Sequence, residues 1–206
     1  MQNFTSLFGF DIIPYLSIRK FESGDNIIKE GQAVPYLYYL VDGRAKFHLT
    51  EENGRISIIR FFTAPSFIGE MELLFDDGRV TEVTALTSCT FYAIDLRKAK
   101  TLLLSDPVFL RNLCIYMGRK RQEDTNTFSK TAAYSLENRL ASFILMSESN
   151  GYYRMPHTEA SGYLSVTYRH LLYVIADFVK KGILTKTPQG YRIDNREALE
   201  NLSPKK

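Results

Sequence analysis

The sequence predicts an α+β chain in three parts. A front module of short antiparallel strands forms a small barrel, roll or sandwich, one long helix follows, and a C-terminal helix-turn-helix runs into a hairpin wing. Three observations carry this reading. Glycines recur at Gly24, Gly31, Gly43, Gly54, Gly69 and Gly78, mostly in turn contexts such as Ser23-Gly24-Asp25, Asp42-Gly43 and Asn53-Gly54, with short β-branched and aromatic runs between them. After Asp106-Pro107 no convincing breaker occurs until about Lys130. Residues 158–184 then read as two short amphipathic helices around a turn.

In the front module the strand-like runs are 36–41, 45–49, 56–62, 81–86 and 91–94. Asn53-Gly54, flanked by two of them, has the turn chemistry of a two-residue hairpin. Residues 96–104 form a short helix. In the long helix Phe109, Leu113, Tyr116, Met117 and Lys120 recur at three- and four-residue steps, a narrow seam of the kind used in helix pairing. Beyond Gly118 the helix is polar all round, from Arg119 to Thr127. That pattern predicts a dimer helix joining two domains, against the plainer reading of a surface helix or linker. The expected domains are 1–105, the helix 106–131, and 132–206, whose first helix spans 135–147 with Leu136, Leu140, Phe143, Ile144 and Leu145.

The C-terminal part carries the strongest local signals. Thr158 has the hydroxyl of an N-cap opening a short helix, with Ala160 and Leu164 as its apolar face. Ser165-Val166 makes the turn, and Thr167 caps the second helix, whose Leu171, Leu172, Val174, Ile175 and Phe178 form the expected buried stripe. Tyr168, Arg169, His170 and Tyr173 are left pointing outward near the start of that helix, where this motif reaches base edges in the major groove. Gly182 ends the helix as a C-terminal glycine, and 183–187 and 190–193 form a hairpin around Pro188-Gln189-Gly190. From Arg154 to Arg192 the cations Arg154, Arg169, Lys180, Lys181, Lys186 and Arg192 face only Glu159 and Asp177, a balance suited to phosphate contact. Lys180 and Lys181 are expected to meet the phosphate backbone.

Composition bounds the rest. The 206 residues carry a net charge of +3, so affinity for nucleic acid must come from local clustering. Residues 1–105 hold 11 Lys/Arg against 13 Asp/Glu, which places the basic surface elsewhere. No apolar run approaches the roughly 20 residues of a membrane span, and the N-terminus lacks the basic start and apolar core of a signal peptide. Cys89 and Cys114 alone suit a reducing compartment. A cytoplasmic protein without membrane contact is expected. No nucleophile–base pairing, paired-carboxylate or metal-ligand spacing stands out, so no enzyme and no metal site are expected.

The order of parts resembles the CRP/FNR superfamily of transcription regulators. Phe67-Ile-Gly-Glu-Met-Glu-Leu73, followed by Gly78-Arg-Val-Thr-Glu-Val-Thr-Ala85, is similar to the family's cyclic-nucleotide segment, and the 21–31 stretch resembles its first hairpin. Leu164-Ser-Val-Thr-Tyr-Arg-His-Leu-Leu172 resembles its recognition segment. The resemblance implies a β-roll of the double-stranded β-helix or jelly-roll type, a dimerisation helix and a winged helix-turn-helix. It further implies a homodimer reading an inverted-repeat duplex and contacting RNA polymerase. Carried over by position, Glu70 would hold an effector's ribose hydroxyl and Arg79 its cyclic phosphate, with backbone N–H groups around Gly69 adding donors, and Asp124 and Thr125 would contact its base. The hydroxyl residue the family places after the arginine is Val80 here, with Thr81 one position later. That departure leaves a cyclic nucleotide, another small effector, or constitutive activity without one, and an iron–sulfur cluster, needing four thiolates, is not expected. In the recognition helix the family's usual Arg, Glu and Arg fall on Tyr168, Arg169 and Tyr173. An alternative is a ligand-binding regulatory protein that acts through protein partners rather than DNA.

Overall fold

The computed structural model describes residues 2–29, 31–50, 54, 56–75 and 82–204, without the side chains of residues 2, 3 and 126–132. The chain divides into two compact units, one of residues 1–47 with 62–124, the other of 48–61 with 125–206.

Along the chain come α1 (Gln2–Thr5), a 3-10 turn at Ile13–Tyr15, and the strands β1 (Leu16–Phe21), β2 (Asn26–Ile28), β3 (Tyr36–Asp42), β4 (Arg44–Thr50), β5 (Ile56–Thr63) and β6 (Ser66–Ile68). A short helix α2 (Glu70–Leu74) precedes β7 (Glu82–Ala85) and β8 (Cys89–Asp95), and the helices α3 (Leu96–Ser105) and α4 (Pro107–Ala133) follow. The strands make two four-stranded sheets, β1-β8-β3-β6 and β2-β7-β4-β5. β8 is sandwiched antiparallel between β1 and β3, with Ile18 opposite Tyr92 and Leu37 opposite Ile94.

The expected strands at 36–41, 45–49, 56–62, 81–86 and 91–94 all fall on observed ones, although Thr81 and Asn53 of the hairpin turn lie outside the described residues. Three strands have no counterpart in the periodicity. β1 is an edge strand exposed along most of its length, so its sequence shows no alternation to read. β2 and β6 have three residues each, too short for a period-two signal. At the β3–β4 corner Gly43 has φ +99°, and a Cβ there would collide with the Ser88 carbonyl.

Two apolar clusters fill the first unit. One lies inside the roll, where Tyr38, Leu40, Ala45, Phe62, Ile68, Val83 and Phe91 come from both sheets. The other lies where the helices meet the β3–β8 face: Phe4, Phe8, Leu37, Phe67, Ile94, Leu103, Phe109 and Leu113. Phe8 stacks on Phe109 with ring centroids 5.3 Å apart. The seam read along α4 is thus occupied. Phe109 and Leu113 are buried, and Tyr116 and Met117 pack against the same cluster, so these residues cover the roll of their own chain instead of pairing with a second helix. The period correctly marks a buried stripe; it carries no information on what buries it.

The second unit contains α5 (Leu136–Ser147), β9 (Tyr152–Tyr153), α6 (His157–Tyr163), α7 (Tyr168–Lys180), β10 (Leu184–Thr187), β11 (Gly190–Ile193) and α8 (Arg196–Leu202). A three-stranded sheet runs β10-β11-β9. Ser135, expected as the first helical residue, is the N-cap of α5; of the expected apolar residues Leu136, Leu140, Phe143 and Ile144 form its buried face and Leu145 is half-buried. The Phe61 ring sits 5.7 Å from that of Phe143 and 5.3 Å from that of Tyr163. α8, capped by Asn195, is held to α5 by Asn138, whose amide donates to the Leu202 carbonyl at 2.6 Å. Among the described residues no helix is long and apolar enough to cross a membrane.

Phe109 is fully buried at the centre of the helix–roll cluster. Phe109→Ala should therefore lower unfolding stability by about 3–5 kcal/mol. Ile18→Ala, at a position 63% exposed on the edge strand, should change it by less than about 0.5 kcal/mol. Urea denaturation of both variants checks the contrast.

Candidate nucleic-acid interface and effector site

α7 is built by its own ends. Thr167 has extended backbone, and its hydroxyl accepts from the His170 N–H at 3.2 Å, satisfying one of the open donors of the first turn. At the other end Gly182 adopts φ +68°, its N–H donating to the Val179 carbonyl and that of Ile183 to Phe178. These two bonds form a Schellman stop. Leu171, Val174, Ile175 and Phe178 are buried, whereas Leu172, expected in that stripe, is 37% exposed. It lies on the flank of the outer face.

The turn before α7 falls at Ser165-Val166 as the sequence predicts, but the helix that leads into it starts differently. α6 begins at His157 with Pro156 as N-cap and no side-chain cap, so Thr158 lies inside the first turn, exposed, with its carbonyl accepting from the Ser161 hydroxyl. Proline suits this entry because its fixed φ is already compatible with the helix start. Ser165 takes a left-handed φ of +53°, and the Val166 N–H returns to the Ser161 carbonyl. Arg139 of α5 donates from Nη1 to the Leu164 carbonyl at 2.5 Å, anchoring the turn from outside the motif. No sequence signal marks Arg139, because its partner is a backbone atom 25 residues away.

The outer surface of this unit presents Tyr168, Arg169, His170 and Tyr173, all exposed, and Tyr173 at 74% is the most open of its described large apolar and aromatic side chains. Lys180 is exposed at the end of α7, while Lys181 is ion-paired with Asp177 at 2.6 Å. Beside the first turn the His157 ring lies 6.2 Å from Tyr168 and 5.8 Å from Tyr191 of β11. Burial, helped by the Lys186 charge, holds the His157 imidazole below its usual range, so it is neutral near pH 7. His157 thus fastens the head of α7 to the wing; no sequence pattern marks it, because a lone histidine at a helix start carries none. The wing is the β10–β11 hairpin, Thr187 opposite Gly190 across Pro188-Gln189.

In the first unit, Gly69 and Glu70 open α2. Gly69 has φ +94° as its N-cap, and a Cβ there would come within 3.1 Å of the Tyr36 carbonyl. The Glu70 side chain is only 3% exposed and accepts from the Lys120 ammonium of α4. That ammonium also lies over the Phe62 ring at 5.1 Å. Beside it the Tyr116 hydroxyl donates to the Phe67 carbonyl at 2.8 Å. Lys120, read in the sequence as part of a pairing seam, instead delivers a cation to the predicted effector carboxylate. Arg79 and Thr81 lie outside the described residues. Asp124 and Thr125 are exposed on α4 and fall in different units.

Comparison with known proteins agrees with this architecture. Residues 18–106 match the cyclic nucleotide-binding domain family. The chain is 40% identical over 200 residues to the regulatory protein YeiL of Escherichia coli O157:H7, covering 97% of this chain and 91% of that protein. It is 28% identical over 135 residues to the cAMP-activated global transcriptional regulator CRP of Escherichia coli O6:H1, covering 65% of this chain and 64% of CRP. Among solved structures, a CRP/FNR-family transcriptional regulator from Thermus thermophilus superposes with a TM-score of 0.70 at 19% identity, over 91% of this chain and 98% of that one. The chain belongs to the CRP/FNR family of transcription regulators. It is a DNA-binding regulator built from an effector-type roll and a winged helix-turn-helix, and the proteins it resembles are regulators.

Removing one member of the buried Glu70–Lys120 pair strands the other. Lys120→Met should cost about 3–5 kcal/mol of stability. Adding Glu70→Gln to that variant should recover part of the loss, because the uncompensated charge is gone. A double-mutant cycle followed by thermal unfolding measures the difference.

Proposed function

We infer that the chain acts as a homodimer that places α7 of each protomer in the major groove of an inverted-repeat duplex and senses a small effector through its roll. In this reading residues 1–105 sense, the helix 106–131 joins the protomers, and 132–206 bind DNA. The observation that carries it is the capped, solvent-facing first half of α7, with Tyr168, Arg169 and Tyr173 exposed beside a hairpin wing. Arg169 carries a forked donor suited to guanine O6 and N7. Thr158, Thr167 and His170, near the start of the motif, and Lys180 are positioned for phosphate contact. Lys181, held by Asp177, contributes less than Lys180. Arg169→Ala should cost about 1–3 kcal/mol on the preferred duplex and relax the preference at one base pair. Lys180→Ala should weaken all sequences alike and flatten the salt dependence. Fluorescence anisotropy over a salt series distinguishes the two, and an Arg169→Ala protein with unchanged preference would contradict the docking.

The dimer contact follows from the side of α4 that its own unit leaves open. With Phe109, Leu113, Tyr116 and Lys120 turned to the roll, the opposite side carries Val108, Arg111, Ile115, Gly118 and Gln122 at three- and four-residue steps. Val108 is 42% and Ile115 40% exposed, and nothing lies within 4 Å of a Cβ built on Gly118. Glycine in a helix interior costs about 1 kcal/mol relative to alanine, and close approach of a second helix is the use that offsets it. Gly118→Leu should convert the dimer to monomer in light scattering while the far-ultraviolet circular dichroism is unchanged.

The effector site has Gly69, Glu70, Arg79, Thr81, Asp124 and Thr125 as its residues, and the match to the cyclic nucleotide-binding domain family supports a cyclic nucleotide as its ligand. A ribose hydroxyl would donate to the Glu70 carboxylate that already accepts from Lys120, and Arg79 would meet the cyclic phosphate. Titration calorimetry with cyclic AMP should give micromolar binding that Arg79→Ala abolishes. Binding indifferent to Arg79, or no heat, assigns the site to another effector. RNA polymerase is the protein partner this reading implies, and the cytoplasm its compartment.

A further inference from the structure

The outer face of α7 is unusually apolar for a surface that meets DNA. Tyr168, Arg169, Leu172, Tyr173 and Ala176 follow one another at alternating one- and three-residue steps, so they share one side of the helix, opposite the buried Leu171, Val174, Ile175 and Phe178. Tyr168 is 49%, Leu172 37% and Tyr173 74% exposed, and Ala176 is open as well. Arg169 is the one cation among the five; Lys180 continues the face at its far end. The face therefore offers a guanidinium and two phenol hydroxyls beside the hydrocarbon of Leu172, Ala176 and the two tyrosine rings.

We propose that this face reads thymine: the C5-methyl groups of a thymine-rich half-site pack against Tyr173, Leu172 and Ala176, while Arg169 marks a single guanine. The proposal rests on α7 entering the major groove and goes beyond it to name what is read there. Its physical basis is the asymmetry of the groove. Guanine, cytosine and adenine edges present only donors and acceptors, and thymine alone adds an apolar group. Pressing Leu172 and Ala176 against a purely polar edge strips that edge of water and returns no hydrogen bond, which is costly. Pressing them against a methyl removes apolar surface from water on both sides. The Arg169 fork suits a base edge and Lys180, at the far end of the face, suits a flanking phosphate, which favours a nucleic acid over a protein as the occupant.

Tyr168 is held for this role. Its ring lies 6.2 Å from His157, which is itself 5.8 Å from Tyr191 of the wing. A ring braced from one side presents its other face to a methyl with little loss of rotamer freedom. Among the described residues no ring packs against Tyr173, so its contribution comes from contact area.

The test uses the full-length chain and a duplex selected from a random-sequence library. Selected half-sites should be enriched in thymine on the strand facing Tyr173 and Leu172. Each contacted thymine replaced by deoxyuridine, which lacks only the methyl, should lower affinity about fourfold, the equivalent of roughly 0.8 kcal/mol. Tyr173→Ala, at so exposed a position that folding is spared, should bind more weakly and lose part of its sensitivity to the replacement; Tyr173→Phe should keep both. A selected duplex bound equally well after every thymine is replaced would overturn the proposal while leaving DNA recognition by α7 intact. So would a Tyr173→Phe protein as impaired as Tyr173→Ala, since the hydroxyl and not the ring would then be reading. Failure to select any duplex would remove the groove reading itself, and this proposal with it.

Discussion

One constraint organises the first unit: the buried carboxylate of Glu70 must be balanced, and the ammonium that balances it comes from α4. A charge so thoroughly removed from water is tolerated only when paired and hydrogen-bonded. Meeting that demand sets the rotation of α4 about its axis. With Lys120 turned to the roll, Phe109, Leu113 and Tyr116, three and four residues apart on the same side, must also face it, and they fill the cluster of Phe8, Phe67 and Leu103. The opposite side, with Ile115 and Gly118, is then necessarily turned away. The ion pair and the apolar cluster thus specify the same helix orientation by two independent means.

The pair also changes how the roll must be viewed chemically. A free carboxylate beside Gly69 would be an open acceptor for a hydroxyl. Here it already serves a cation that is partly desolvated over the Phe62 ring. Any effector that engages Glu70 therefore acts on a residue of α4 at the same time, and it does so directly, through Lys120. In the second unit the economy is different. α7 is defined by local devices at its two ends, Thr167 and Gly182, and is oriented by one long-range bond from Arg139 to the Leu164 carbonyl.

What could be read in the sequence divides along the same line between local and distant causes. The Thr167 cap, the Gly182 stop and the five longer-patterned strands β3, β4, β5, β7 and β8 are legible because each depends on a few neighbouring residues. Thr158 misled because a hydroxyl at the right place competes with Pro156, whose fixed φ starts the helix two residues earlier. Leu172 misled because a stripe of five apolar residues is wider than the face its helix buries. The α4 seam shows the limit most clearly: periodicity reveals that one side is covered, and only the tertiary structure shows that the cover is the chain's own roll. The Glu70–Lys120 pair spans 50 residues and the Arg139 bond 25, separations over which no pattern in a single sequence connects the partners.

The central claim, that two copies present α7 to a duplex, is tested most directly by footprinting. Methylation-interference and hydroxyl-radical mapping of the full-length chain on its selected duplex should show two symmetry-related major-groove segments. Their centres should lie about 10 base pairs, one helical turn, apart or at a multiple of that spacing. A single unsymmetrical segment, or protection confined to the minor groove, would contradict the account.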